Sequence, residues 1–172
     1  METTERIVES YCRYVKGLFT IPNIKCAGQY EIDLLAIDVS VTPIKRYHIE
    51  TSVSISTNFS KLTAREYSPL LLKQRISKPQ QRRTVGYFVE RKFNAPGIHA
   101  ELAKYGFVQG NYEKVIVTWG WEDAAKALAD NSDIVLWDFR TILVEIEAIC
   151  KSKTAYFIDD TLRTIQLLLR KT

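Results

Sequence analysis

The segment "YEIDLLAIDVSV", starting at Tyr30, constrains the fold more than any other stretch of the chain. Side chains of a strand alternate between its two faces. Here Ile32, Leu34 and Ala36 fall on one face and Leu35, Ile37 and Val39 on the other, so neither face suits water. Such a strand belongs inside a sheet covered on both sides. Asp33 interrupts this apolar run, and a buried carboxylate without a partner is costly. Asp33 therefore calls for a metal, a base or backbone donors.

The neighbouring segments supply the rest of such a sheet. "TIPNIKCA" before it and "KRYHIETSVSI" after it are rich in β-branched and aromatic residues, and Gly28 and Pro43 stand where the chain should turn. Upstream, "TTERIVESYCRYVKGLF" predicts a helix, with Thr3 or Thr4 as cap and Gly17 near its end. Ile7, Val8, Tyr11, Cys12, Val15, Leu18 and Phe19 share one face at helical spacing. Downstream, "FSKLTAREYSPLLLKQRI" reads as a helix bent or interrupted near Pro69, "KQRISKPQQRRT" as a basic loop, "TVGYFVERKF" as a strand and "GIHAELAKYGF" as a short helix. The last third alternates strand "KVIVTW", helix "WEDAAKALAD", strand "DIVLWD", and helices in "FRTILVEIEAICKS" and "DTLRTIQLLLRK". That alternation predicts an α/β fold with some parallel strands, and residues 1–172 read as a single domain.

Composition excludes several classes. A hydrophobic fraction of 46% with 26% charged residues is that of a globular chain, not a disordered one. Cys12, Cys26 and Cys150 are odd in number and widely spaced, which argues against a disulfide framework or a zinc knuckle and for reduced thiols in a cytoplasmic protein. The polar start "METTERIVES" is no signal peptide, and no apolar run approaches the roughly 18–20 residues of a membrane span. A net charge of +4 permits an anionic partner without requiring one. Neither a Gly-rich phosphate loop nor a nucleophile elbow is present.

Alternation places His48, Glu50, Ser52 and Ser54 on one face of the third strand, away from Tyr47, Ile49, Val53 and Ile55. Two carboxylates on adjacent strands, Asp33 and Glu50, can share one hard cation such as Mg²⁺. The order "ER" in the first helix, then "GQYEIDLLAID", then "YHIETSVS" resembles the PD-(D/E)xK, or restriction-endonuclease-like, nuclease superfamily, and within it the Mrr-type and archaeal Holliday-junction-resolvase-like branches. The resemblance covers about the first 60 residues. It implies a central mixed β-sheet flanked by helices on both faces, and Mg²⁺- or Mn²⁺-dependent hydrolysis of DNA. Carried over, Asp33 matches the strand Asp, Glu50 the Glu of Glu-x-Lys, and Glu5 the first-helix glutamate, with Glu9 as second choice; these three would be the metal ligands.

Ser52 stands where that motif has lysine, a departure that bears directly on catalysis, because a hydroxyl cannot supply an ammonium's charge. Lys61 is the nearest substitute amine; Lys45 and Arg46 are poorer ones. Two functional expectations follow: a metal-dependent nuclease with a degenerate active site, or a catalytically inactive nuclease fold kept for DNA or protein contact. A homodimer is compatible with either. The basic run Lys73, Arg75, Lys78, Arg82 and Arg83 is the expected path of a phosphate backbone, set against an ordinary solvated loop. His48, sharing a face with Glu50, reads as structural, and Trp119 and Trp121, flanking Gly120, read as packing residues before base-stacking ones.

Overall fold

The computed structural model describes residues 2–54, 61–70 and 79–170. It is an α/β protein built on a five-stranded mixed sheet in the order β1 (Phe19–Cys26), β2 (Tyr30–Asp38), β3 (Lys45–Ser52), β4 (Glu113–Thr118) and β5 (Ile134–Asp138). The first three strands form an antiparallel meander, and β3, β4 and β5 run parallel. Parallel neighbours need a crossover. Residues 53–112 supply the first, and α4 (Asp123–Asp130) lies within the second.

Helices cover both faces. On one, α1 (Thr3–Tyr14), α5 (Phe139–Ser152) and α6 (Asp160–Leu169) bury Val8, Tyr11, Ile142, Ile146 and Leu162 against Leu34, Ala36, Ile49, Val115 and Val117. On the other, α3 (Pro96–Lys104) covers Ile32 and Leu35 of β2, while Phe88, Phe93 and α4 cover Ile116 and Ile134. The apolar layer on this second face is thus two clusters, one over β1–β2 and one over β4–β5. The positions of β3 between them carry His48 and Glu50, both fully buried. The double covering expected of β2 is present: Ile32 to Ala36 are all buried. Ile32 packs with Leu35 and not with Leu34, however. Beside it the β1–β2 ladder passes from Pro22↔Leu34 to Ile24↔Ile32 around Asn23, whose φ of 61° is left-handed.

Two expectations fail. Residues 61–68 are not helical: Leu62 bridges to Trp121 and Thr63 to Thr84, and their backbone groups bond across to Gly120, Glu122, Arg83 and Val85. Helical structure begins only at Pro69, a residue suited to a first helical turn. "TVGYFVERKF" is likewise no strand. Thr84 caps a single turn, α2 (Val85–Tyr87), by accepting from the Tyr87 N–H at 3.2 Å, and the chain continues as a π-helix, Phe88–Phe93. Its β-like composition reflects burial: Val85, Phe88 and Phe93 all enter the core. Gly86 allows the approach, since a Cβ there would stand 2.9 Å from the Tyr67 Cβ. Among the described residues no helix is long and apolar enough to cross a membrane.

Candidate carboxylate–lysine site

The β2–β3 ladder ends at the pair Leu34↔Ile49. One residue further on, Asp33 and Glu50 would face each other, and instead of backbone pairing they exchange side-chain bonds. The Asp33 N–H donates to Glu50 Oε1 at 3.4 Å, and the Thr51 N–H donates to Asp33 Oδ2 at 2.8 Å. The strands part where the acids stand, and each acid helps to satisfy backbone that the parting exposes.

The cation that meets these acids is Lys92, from the π-helix. Its Nζ lies 2.9 Å from Asp33 Oδ1 and 2.5 Å from Glu50 Oε2, and also donates to the Glu31 carbonyl at 3.3 Å. The contacts with Asp33 and the Glu31 carbonyl are hydrogen bonds, and that with Glu50 Oε2 is an ion pair. One nitrogen touching both carboxylates means that Asp33 Oδ1 and Glu50 Oε2 are no farther apart than the two contacts laid end to end. Next to Lys92, Arg91 donates to the Tyr30 hydroxyl at 3.0 Å and stacks on its ring, fixing this turn against β2.

His48 completes the cluster. Its Nε2 is 2.8 Å from Glu50 Oε1, and its ring packs edge-on against Phe93 with centroids 4.9 Å apart. Burial drives its pKa down to about 3, so the ring is neutral, with Nε2 the nitrogen that meets Glu50. Nδ1 is buried without a hydrogen-bond partner.

The electrostatics are those of two acids sharing one cation. Burial, and then the charge of Glu50, raise Asp33 to about 7; burial raises Glu50 to about 7 as well, against the pull of Lys92. Burial also opposes the charge on Lys92, but the two carboxylates outweigh it and its pKa rises. With all three ionised the cluster carries a net negative charge in a nearly dry setting, an arrangement that favours a further cation.

The other expected residues are placed less centrally. Glu5 is half-buried in the first turn of α1, where Oε2 accepts from the Glu2 N–H at 2.8 Å in a capping box. Its pKa is raised by burial and, to a lesser degree, by the charge of Asp33. Glu9 faces β1 instead, accepting from Thr20 at 3.3 Å. Ser52 is the last residue of β3, and its carbonyl accepts from Arg83 Nη1 at 3.4 Å. The expectation for Lys61 is corrected: the amine on the acids is Lys92, while Lys61 is exposed and lines a cleft with Trp119, Gly120, Trp121 and Arg140. Of the basic run, Arg83 reaches the end of β3 and Arg82 is exposed; Lys73, Arg75 and Lys78 lie outside the described residues.

Comparison with known proteins adds fold only. No family model matches the sequence, and no curated protein matches it significantly. The structure is similar to the crystal structure of AF1548, described as a protein of unknown function, with a TM-score of 0.50 at 17% identity. The match covers 86% of this chain and 66% of that one, so the chain spans just under two thirds of its neighbour's length.

Asp33 and Glu50 are the residues that would hold a divalent cation, at the place where Lys92 now meets them both. Mg²⁺ often takes only one or two protein carboxylates and completes its shell with water and substrate phosphate. Asp33 and Glu50 offer two, and among the described residues no group of three or more His, Cys, Asp or Glu converges as a fuller ligand set would. Lys92 was not singled out in the sequence because it is 59 residues from Asp33 in a segment with strand-like composition. The usable signal was the demand itself: two buried acids require a cation.

Proposed function

We propose that this chain is a metal-dependent nuclease of the restriction-endonuclease-like type, hydrolysing phosphodiester bonds of DNA, in which Lys92 supplies the amine absent at Ser52. The observation that carries the reading is the contact of one ammonium with both strand carboxylates, at 2.9 and 2.5 Å. The α/β sheet with an Asp on β2 and a Glu on β3 supports it. Asp33 and Glu50 would hold a divalent cation, which when bound screens the phosphate and acidifies a water ligand. His48 keeps Glu50 Oε1 engaged, so that Oε2 is the oxygen turned to Lys92. Lys92 would donate to the negative charge that develops on a non-bridging phosphate oxygen as the water oxygen bonds to phosphorus and gives its proton to solvent. As the bond to the leaving alkoxide breaks, that alkoxide would take up a proton from solvent, so the exchange balances.

A second reading has its own observation. Three of the four carboxylate oxygens are already engaged, Asp33 Oδ1 by Lys92, Oδ2 by the Thr51 N–H and Glu50 Oε1 by the Asp33 N–H and His48, and the fourth, Glu50 Oε2, is in ion-pair contact with Lys92. On that reading Lys92 is a built-in counter-ion replacing the metal, and the chain is an inactive nuclease fold that binds DNA or protein. The deciding experiment is cleavage of plasmid, linear and branched DNA in Mg²⁺ or Mn²⁺, with Asp33→Ala as control. Cation-dependent cleavage lost in the variant supports the nuclease; DNA binding with no cleavage of any substrate supports the second reading.

A further inference from the structure

The parallel strands β3, β4 and β5 end together. Ser52 pairs with Thr118 and Thr118 with Asp138, so the residues after each strand share one edge of the sheet, the customary place for ligands in α/β proteins. Glu50 is two residues from that edge on β3. At the end of β4 the edge opens into a cleft of about 370 Å³ lined by Lys61, Trp119, Gly120, Trp121 and Arg140.

Each part of this cleft has a distinct origin. Trp119 packs with the α5 layer, its ring centroid 6.3 Å from that of Phe139, whereas Trp121 packs with the opposite layer around Leu62. The two indoles therefore come from opposite faces of the sheet, with Gly120 between them. A Cβ on Gly120 would point between the Arg140 guanidinium and the Lys61 stem, 3.9 Å from each. Its backbone is not left-handed, so glycine is not required there for conformation. What glycine does is leave the space open. Asp138 fixes Arg140 through contacts at 2.6 and 3.0 Å, and Lys61 is exposed. The segment carrying Lys61 runs beside Arg83, since the Thr63 N–H donates to the Arg83 carbonyl at 2.9 Å, and Arg83 in turn reaches Ser52. One cationic side chain thus stands at the end of β3, two residues beyond Glu50, and a second, Lys61, stands at the cleft.

We propose that the Trp119–Gly120–Trp121 cleft receives an unpaired base of a nucleic-acid strand, with Lys61 on its phosphate. This rests on the nucleic-acid reading above and deepens it: the substrate class becomes DNA with a single-stranded or distorted segment. Aromatic surfaces accept any base by stacking, and a nearby ammonium recognises the backbone. A free nucleotide offers the same chemistry, but the run from Arg83 to Lys61 suits a strand that continues to the carboxylate site.

The test uses the full chain in EDTA, with labelled oligo(dT) followed by anisotropy and with 2-aminopurine at an unpaired position as a stacking reporter. Wild type quenches the 2-aminopurine. Gly120→Leu, which fills the cleft, abolishes the quenching and weakens strand binding by about tenfold or more. Lys61→Ala weakens binding with a salt slope smaller by about one. Thermal melts of Gly120→Leu and Gly120→Ala show that the fold is kept, as the 3.9 Å clearances lead one to expect. A fully paired duplex binds both proteins alike. Unchanged binding and quenching in a folded Gly120→Leu overturn the proposal, as does a mononucleotide that binds as tightly as the strand. Metal-dependent cleavage by Gly120→Leu, assayed separately, shows that the carboxylate site stands whichever way the cleft result falls.

Discussion

Two buried polar sites in this molecule are built on opposite logic. Gln166 of α6 is fully buried, and its amide nitrogen donates to the carbonyls of Cys150, Lys153 and Ala155 at 3.2–3.3 Å. Those carbonyls belong to the end of α5 and the turn after it, groups that lack intrahelical partners. A neutral amide meets that need with no charge to bury. The Asp33–Glu50–Lys92–His48 cluster also repairs backbone where β2 and β3 part, yet it uses two acids for one amine and holds both acids near neutrality. One charged pair, or one amide, would serve the fold. Each acid accepts a backbone N–H, and the charge left over from two acids against one amine is what the proposed nuclease reading would use.

The largest expected effect separates the two sites. Lys92→Met leaves two buried carboxylates without their cation; cleavage falls by about 10²–10³-fold, and urea unfolding shows a loss of about 3–5 kcal/mol. Gln166→Leu removes three carbonyl contacts and lowers stability by about 1–3 kcal/mol in the same unfolding assay, with the cleavage rate unchanged. A Gln166 variant that lost activity, or a Lys92 variant that kept it, would break the contrast.

Asp33→Asn sharpens it in the opposite direction. The folded pKa values of Asp33 and Glu50, about 7, lie above the ordinary 3.8 and 4.5. Between those limits the native state holds more protons than the unfolded state, so these acids make stability fall as pH rises from about 4 to 7 and level off above. His48, held neutral with a pKa near 3, runs the other way up to its ordinary 6.5. The comparison of variant with wild type isolates the acids. Asp33→Asn is near neutral at pH 4 and more stable than wild type by on the order of 1–3 kcal/mol at pH 8, while inactive. Thermal melts across this range check it, and a variant equally destabilised at every pH would mark Asp33 as structural. Smallest of all, Ser52→Ala is expected to change stability by less than about 0.5 kcal/mol and to leave the cleavage rate unaltered, because Lys92 is the amine in contact with the acids.

Much of this was legible in the sequence for a physical reason. The double-faced apolar pattern of "YEIDLLAID" predicts a covered strand, and the α/β alternation after residue 112 fixes the parallel half of the sheet. Asp33 stood out because burial is visible in its neighbours, and its need for a partner is met by Lys92 and the Thr51 N–H. Glu50 stood out only through its place beside that strand. What escaped notice depends on tertiary contact. A π-helix has no period that sequence patterns reveal, and Val85, Phe88 and Phe93 are apolar for the sake of a core that strands and helices both serve. Lys61 opens the segment that follows the third strand and is the substitute amine the sequence suggests, but Lys92 is the one the crossover brings over β2. Likewise, Leu62 and Thr63 fall in a segment that reads as a helix, yet their backbone groups are claimed by Gly120, Glu122, Arg83 and Val85.

Lys92 touches Asp33 and Glu50, whereas Lys61 lines the cleft beside Trp119 and Trp121. Initial rates of Mg²⁺-dependent DNA cleavage over a range of substrate concentrations, compared for wild type, Lys92→Ala and Lys61→Ala, test this division most directly. On the proposed nuclease reading wild type cleaves in a cation-dependent way, Lys61→Ala keeps kcat while its KM rises, and Lys92→Ala loses about 10²-fold or more in kcat. Full activity in Lys92→Ala, or loss of kcat in Lys61→Ala alone, would contradict it.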